Sequence, residues 1–200
     1  MVISWLGQAG IKLQVKETAL IIDPPQENGK GRRLNANIVA LSAKTRGNIN
    51  ITGEPFVIDE PGEYERQNVF VYGLHLPTDP ANVHWRLEAE DLSLGHLGHL
   101  NHKLENGELA QLEGVDILFV PVGGHVVLNG EQAAELISQI EPRIVIPIQF
   151  KSEGIKNDQD SAEKFLKEMG AKAVTPTDKF RVGKKDLPAE ETQVVVLSQS

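Results

Sequence analysis

ISWLGQAGIKLQV, residues 3–15, is the stretch from which the fold can be worked out. Apolar and polar residues alternate through most of it, and the segment between Gly7 and Gly10 consists of small or polar residues. Alternation with a period of two is typical of β-strands, and glycines commonly mark the turn that joins two of them. The stretch therefore predicts two strands joined by a turn at the start of the chain.

The remainder of the first half is also predicted to consist of short strands. Apolar or alternating runs bounded by Pro, Gly and Asn favour strands over helices. The predicted strands are ALIID (19–23), NIVALS (37–42), PFVID (55–59), NVFVYGLHL (68–76) and a hairpin in VHWRLEAEDLSLGHL (83–97). Between them, PGEYE (61–65) is interpreted as a β-turn centred on Pro61 and Gly62, because these residue types are typical of turns.

The second half alternates buried strands with helices. Asn129 is predicted to cap a helix in GEQAAELISQI (130–140), and Asp160 or Ser161 to cap AEKFLKEMG (162–170), which Gly170 would end. The other expected elements are a short helix in ENGELAQLEG (105–114) and strands in VDILFVPVGG (115–124), RIVIPIQF (143–150), KAVTP (172–176), KFRVG (179–183) and TQVVVLS (192–198). Strands in both halves with few helices predict two packed sheets covered by helices, in one domain over residues 1–200.

The composition excludes several classes of function. The 200 residues carry a net charge of −8, so the chain has no basic surplus with which to displace counterions from a nucleic acid. It contains no cysteine, which excludes disulfides, thiolate metal sites and cysteine nucleophiles. We find neither a signal peptide at the N-terminus nor an apolar run long enough to span a membrane. We therefore expect a cytoplasmic protein that binds neither nucleic acid nor membranes.

GHLGHLNH, residues 95–102, contains three of the six histidines of the chain. A catalytic zinc site needs at least three protein ligands, and a structural site usually has four, so further ligands would have to come from elsewhere. Gly95 and Gly98 favour an irregular turn at the end of a strand, where a site could form. From the spacing alone, a metal site and a surface turn with incidental histidines are equally good interpretations.

Six segments of the chain together resemble the metallo-β-lactamase superfamily, and in particular its short lactonase-like branch of Zn-dependent hydrolases. They are ISWLGQAG, LIIDP, PFVIDEPGEYE, GHLGHLNHKL, VDILFVPVGG and EPRIVIPIQFK. The segments follow the family's order over nearly the whole chain. The resemblance implies an α/β fold, an αββα sandwich of two mixed β-sheets flanked by helices, with a dinuclear metal site at the sheet edges. It also implies that Asp23 lies near the floor of that site.

The metal-binding positions depart from the family's pattern. After NIVALS the family has a His-x-His-x-Asp-His motif, and its four functional positions are here Ala43, Thr45, Gly47 and Asn48. Alanine and glycine have no ligand atom, and threonine and asparagine are poor zinc ligands beside imidazole or carboxylate. In the later motifs, His96 keeps a histidine position, whereas His99 replaces an aspartate that bridges two metals, and Gln149 replaces a histidine.

We therefore expect a degenerate member of the family that has lost the dinuclear centre and acts as a non-catalytic binding or assembly protein without a cofactor. Its partner would be an unidentified small molecule, or a second copy of the chain, since members of this branch often self-associate. The alternative is a hydrolase with altered chemistry that uses no metal, or a single zinc on His96, His99 and His125. Lys44 and Arg46, in the altered loop, are either anion contacts or solvated loop charges.

Overall fold

The computed structural model describes residues 1–25, 33–43, 50–152, 158–171 and 174–200. They form fifteen strands and three α-helices. The strands are β1 Val2–Gly7, β2 Gly10–Val15, β3 Thr18–Ile22, β4 Leu34–Asn35, β5 Ile38–Ala40, β6 Ile51–Thr52, β7 Phe56–Ile58, β8 Gly62–Arg66, β9 Val69–Leu74, β10 His84–Ala89, β11 Leu92–His96, β12 Ile117–Pro121, β13 Ile144–Ile148, β14 Phe180–Arg181 and β15 Gln193–Val194. The helices are α1 Asn106–Leu109, α2 Gly130–Ile140 and α3 Ala162–Glu168.

Two mixed sheets contain most of these strands. The first has the order β14-β1-β2-β3-β5-β7, and the second has the order β15-β13-β12-β11-β10-β9-β8. In each sheet, antiparallel neighbours at one end continue into parallel neighbours at the other. The predicted hairpin of β1 and β2 is confirmed, with Ser4 opposite Lys12 and Trp5 opposite Ile11.

The core lies between the two sheets and under the helices. Alternate residues of β1 and β2 point into it, including Ile3, Trp5 and Ile11, while Phe119 enters it from β12. Burial of apolar surface is the dominant favourable term in folding, so this shared core is what holds the two sheets together. The predicted α/β sandwich of two mixed sheets with flanking helices is confirmed.

The helices of the second half begin and end close to where the sequence predicts. Asn129 Oδ1 caps α2 by accepting a hydrogen bond from the Gln132 amide at 2.9 Å, and the Asn129 amide donates one to Gln132 Oε1 at 3.0 Å. This reciprocal pair satisfies two amide groups that have no partner inside the helix. Helix α3 begins after Ser161, and Gly170 follows it with a φ of +64°.

The interpretation of PGEYE as a β-turn is wrong. Residues Gly62–Arg66 form strand β8 at the edge of the second sheet and pair antiparallel with β9. The turn lies further along, at Gln67 and Asn68, whose φ values of +54° and +59° suit a tight hairpin turn. The alternation that reveals a strand is missing because β8 is mostly exposed on both of its faces.

The late strands are shorter than predicted. Within KFRVG and TQVVVLS, only Phe180–Arg181 and Gln193–Val194 form strands. The described residues of KAVTP form no strand, although the adjacent Thr177 makes an isolated bridge with Leu197. No helix among the described residues is both long enough and apolar enough to cross a membrane.

Candidate functional site

His96 lies at the end of β11, where that strand runs beside β12, and its side chain is fully buried. Its Nε2 donates a hydrogen bond to the Ala9 carbonyl oxygen at 2.9 Å, since a carbonyl can only accept. Burial lowers the pKa of His96, and the nearby Asp23 only partly opposes this effect. The ring is therefore neutral at pH 7, and its Nδ1 is buried without a hydrogen-bond partner among the described residues.

The turn that follows His96 packs against the ends of two other strands. Asp23 Oδ1 accepts a hydrogen bond from the Ser42 amide at 2.7 Å, and Ser42 Oγ accepts one from Trp85 Nε1 at 3.1 Å. Gly98 has a φ of +46°, and a Cβ atom there would lie 2.9 Å from Ser42 Oγ. Glycine at this position thus lets the turn approach Ser42 and Asp23 closely.

Gln149 lies directly after β13 and is buried. Its Oε1 accepts a hydrogen bond from Gln159 Nε2 at 3.1 Å, and its amide donates to the Gln8 carbonyl at 3.0 Å. The residue has a φ of +54°, an uncommon value for a residue with a side chain. Gln8, which directly follows β1, and Asp23, which directly follows β3, share this left-handed conformation. Such residues often gather at functional sites, so these strand ends form the candidate site.

The other predicted site residues differ in their exposure. His99 is half-buried, with Nδ1 enclosed and unpartnered among the described atoms, whereas His125 is exposed in a turn at a φ of +59°. Ala43 is half-buried and has no ligand atom. Five predicted positions lie outside the described residues: Lys44, Thr45, Arg46, Gly47 and Asn48.

Within the described ranges, no three His, Cys, Asp or Glu side chains are arranged so that they could hold a metal ion. A zinc ion needs at least three protein ligands. At the other described ligand positions, Ala43 has no ligand atom and the Gln149 side chain is bonded to Gln159. The described donors therefore do not fit a dinuclear metal centre.

His102, the third histidine of the turn, belongs to a different network. Thr78 Oγ1 donates a 2.6 Å hydrogen bond to Glu108 Oε1 and lies 2.6 Å from His102 Nε2, which must then be the donor. Burial acts to raise the pKa of Glu108, but hydrogen bonds from Thr78 and Glu105 outweigh it and the pKa is lowered. This network fixes the start of helix α1 and does not include His96.

A buried pair that the sequence did not reveal lies beside the site. His84 is fully buried on β10, and its Nε2 donates a 3.1 Å hydrogen bond to Asp79 Oδ2. Asn82 also donates to both Asp79 oxygens, at 2.8 and 3.1 Å. The hydrogen bond from His84 lowers the pKa of Asp79, and burial only partly opposes it. An Asp and a His five residues apart in a proline-containing segment give no sequence signal that they would be paired.

The Asp79 pair predicts a dependence of stability on pH. The folded-state pKa of Asp79 lies below its ordinary value of 3.8. The contribution of its carboxylate to the free energy of unfolding is therefore present above about pH 4 and is lost as the pH falls below that value. Asp79→Asn should lower the free energy of unfolding by about 1–2 kcal/mol at pH 7, and the difference from wild type should shrink in acid. Urea titrations over a pH series measure this. The exposed Asp59→Asn variant is the control, and a difference for Asp79→Asn that stays constant down to pH 3 would contradict the prediction.

A comparison of the whole sequence with known protein families shows the family to which the chain belongs. The profile of the family described as the β-lactamase superfamily domain matches residues 2–149, which is well over half of the chain. The chain belongs to the β-lactamase superfamily. The matched region contains His96, Ser42 and Asp23, together with the strands that carry them.

Curated relatives match the chain over shorter stretches. A protein of Staphylothermus marinus named a metal-dependent hydrolase is 28% identical over 89 residues, 44% of this chain and 37% of the relative. A protein of the same description from Enterococcus faecalis is 32% identical over 66 residues, 33% of this chain and 30% of the relative. The matched stretches thus span only about a third of these relatives' length.

Solved structures resemble the chain over nearly its full length. A Thermotoga maritima protein described as a candidate Zn-dependent hydrolase of the metallo-β-lactamase superfamily is 25% identical, with a TM-score of 0.83 and 99% coverage of both chains. A metallo hydrolase from Ignicoccus hospitalis is 13% identical, with a TM-score of 0.63 over 90% of this chain and 98% of its own. The second match shows the fold alone.

Proposed function

We propose that this member of the β-lactamase superfamily has lost the dinuclear metal centre and acts as a binding or assembly protein. Relatives are named metal-dependent hydrolases, so the fold is one that supports metal-dependent hydrolysis in other chains. The observation that carries the proposal is that no three metal-binding side chains come together in the described part of the molecule. Hydrolysis by two metal ions needs such ligands to position the nucleophile and to polarise the substrate.

The hydrogen bonds of the described positions support the same proposal. An imidazole that binds a metal through one nitrogen commonly donates its other N–H to a carbonyl or carboxylate, and His96 keeps that arrangement with Ala9. The partner ligands are what is missing, because Ala43 has no donor atom and Gln149 is bonded to Gln159. The partner in this proposal is a small molecule or a second copy of the chain.

One observation favours the second candidate, a hydrolase with a single metal ion. The Nδ1 atoms of His96 and His99 are both buried and have no partner among the described atoms. Two such nitrogens could serve as ligands of one zinc ion, because a neutral imidazole binds metals through its free nitrogen. His125, the third residue of this candidate site, is exposed. A single-metal site therefore requires that His125 approach the buried pair.

Zinc binding distinguishes the two candidates. For the full chain purified without a histidine tag, we expect elemental analysis to find well below one zinc per chain, and added zinc to leave the melting temperature unchanged. A ligand present at 100 times its Kd would stabilise the folded state by about 2.7 kcal/mol, so specific zinc binding would give a clear shift. The same titration is made on His96→Gln and His99→Gln, with the exposed His75→Gln as the control.

Each result of the zinc titration has a defined meaning. One zinc per chain, lost in His96→Gln and His99→Gln but retained in His75→Gln, would replace the proposal with the single-metal hydrolase. Two zinc ions per chain would exclude both candidates. Absence of a shift in wild type and in all three variants supports the loss of the metal centre.

A further inference from the structure

The outward face of the first sheet carries an open groove of about 920 Å³ that shares no lining residue with the surroundings of His96. Its floor is formed by strands β1, β2 and β14. In the register of these strands, Val2 lies opposite both Gln14 and Arg181, and Ser4 lies opposite Lys12. Residues directly opposite one another share a face of the sheet, so Lys12 and Arg181 point to the same side.

The groove is strongly cationic within an acidic chain. Five of its sixteen described lining residues are Lys or Arg, compared with 20 of 200 in the chain as a whole. The five are Lys12, Lys16, Arg33, Lys179 and Arg181. Asp186 is the one Asp or Glu among the described lining residues, whereas the whole chain has 28 in 200.

These cations form no ion pair with described neighbours. The ion pairs among the described residues involve Lys103, Lys164, Lys184, Arg86, His84 and the N-terminus, and none involves the five groove cations. Asp186 is already engaged, because its Oδ2 accepts a hydrogen bond from the Gly183 amide at 2.8 Å. The groove therefore presents several positive charges that an anionic ligand could approach without displacing a described protein carboxylate.

The spacing of the cations indicates a ligand with more than one negative group. Lys12 and Arg181 extend from strands on either side of β1 and lie opposite residues two apart on it, which places their backbones about 12 Å apart. Leu6 and Val182 are buried beneath the groove and give it an apolar floor. The arrangement suits a ligand with separated anionic groups and an apolar or planar part.

We propose that this groove binds a compact organic polyphosphate, of the class of nucleoside di- and triphosphates. Arg and Lys are the side chains that bind phosphate groups through charge-assisted hydrogen bonds. The volume lies within the range of about 300–1,000 Å³ that is typical of small-molecule sites. A long nucleic acid would extend beyond the groove over a protein of net charge −8, whereas a compact polyphosphate stays among the five cations.

The test is isothermal titration of the full chain with ATP, inorganic tripolyphosphate and a single-stranded oligonucleotide, at low and high salt. ATP should bind most tightly, because it uses both the cations and the apolar floor, and tripolyphosphate should bind more weakly. Lys12→Ala combined with Arg181→Ala should raise the Kd for ATP by about tenfold or more. The control combines Lys103→Ala with Lys164→Ala, which removes two exposed, ion-paired lysines outside the groove and should leave the Kd within about twofold.

The proposal is overturned if wild type binds neither ATP nor tripolyphosphate, or if the oligonucleotide binds more tightly than ATP. It is also overturned if the groove and control variants weaken binding equally, since that would indicate unspecific attraction. Lys12→Glu provides a second variant at a solvent-accessible position, and an unchanged Kd for it would likewise contradict the proposal. Because the groove is separate from the surroundings of His96, none of these results depends on the zinc content of the protein.

Discussion

Gly123→Ala is expected to lower the free energy of unfolding by about 2–3 kcal/mol, because overpacking of a close backbone contact forces neighbouring atoms to shift. A Cβ atom on Gly123 would overlap the backbone carbonyl oxygen of Gln149 and lie 3.1 Å from the Gln159 Cβ. The obstacle is backbone, which cannot rotate away as a flexible side chain could. The Gln149 backbone is also fixed by the hydrogen bond from its amide to the Gln8 carbonyl, so it cannot easily move to make room for the added Cβ atom.

The matched control is Gly107→Ala, because a Cβ atom on Gly107 meets nothing within 4 Å. Gly107 lies in helix α1, where alanine is favoured over glycine by up to about 1 kcal/mol, so this variant should be neutral or slightly more stable. Urea denaturation of the two variants gives the comparison. Equal stability of Gly123→Ala and wild type would show that the contact between Gly123 and Gln149 is loose.

The parts of the fold with strong local signals could be predicted from the sequence. The alternation in residues 3–15 predicted β1 and β2, and Asn129 marked the start of α2. Both signals depend on neighbours within a few residues, so they can be interpreted without knowledge of the tertiary structure. The order of the recognised segments then indicated the superfamily, which the match over residues 2–149 confirms. The single domain over residues 1–200 stays a prediction.

Strand β8 shows where local signals fail. It begins at Gly62, directly after Pro61, and both residue types are typical of turns. Its pairing with β9 is decided by the turn at Gln67 and Asn68. An edge strand that is exposed on both faces needs no apolar alternation, so the pattern that identifies other strands is absent. The pairing of β8 with β9 outweighed the local preference of Pro61 and Gly62 for a turn.

The sequence indicated the candidate residues and their places at strand ends, but not the contacts between them. The resemblance pointed to His96, Gln149 and Asp23, which lie at or directly after the ends of strands. The bond between Ser42 and Trp85 joins residues 43 positions apart, and no spacing rule predicts it. The hydrogen bond that His84 donates to Asp79 could not be predicted either, since it depends on how an irregular segment folds back on β10.

Trp85→Ala should be the most destabilising substitution near the candidate site, with a loss of about 4 kcal/mol in the free energy of unfolding. The indole is fully buried, and Trp85 lies opposite His96 in the pairing of β10 with β11. Its removal leaves a cavity between the two sheets that the surrounding strands cannot easily fill. The variant also leaves Ser42 Oγ without its indole donor.

Two further variants separate packing from hydrogen bonding. Trp85→Phe keeps most of the ring but removes the N–H that donates to Ser42 Oγ, and Ser42→Ala removes the acceptor. Each should cost about 1–3 kcal/mol, because a buried polar group loses its partner or the packing is impaired. The double variant should cost less than the sum of the two single variants, since they disrupt one shared contact.

Val126→Ala is the control for this series, because that side chain is 70% exposed and should change stability by no more than about 0.5 kcal/mol. Strictly additive losses for Trp85→Phe and Ser42→Ala would show that the hydrogen bond contributes little. In that case Trp85 would stabilise the protein through its buried surface alone. A double variant that loses less stability than the sum of the two single variants would instead show that the indole joins β10 to the segment after β5. This contact then holds Ser42 against Asp23 and the turn at Gly98.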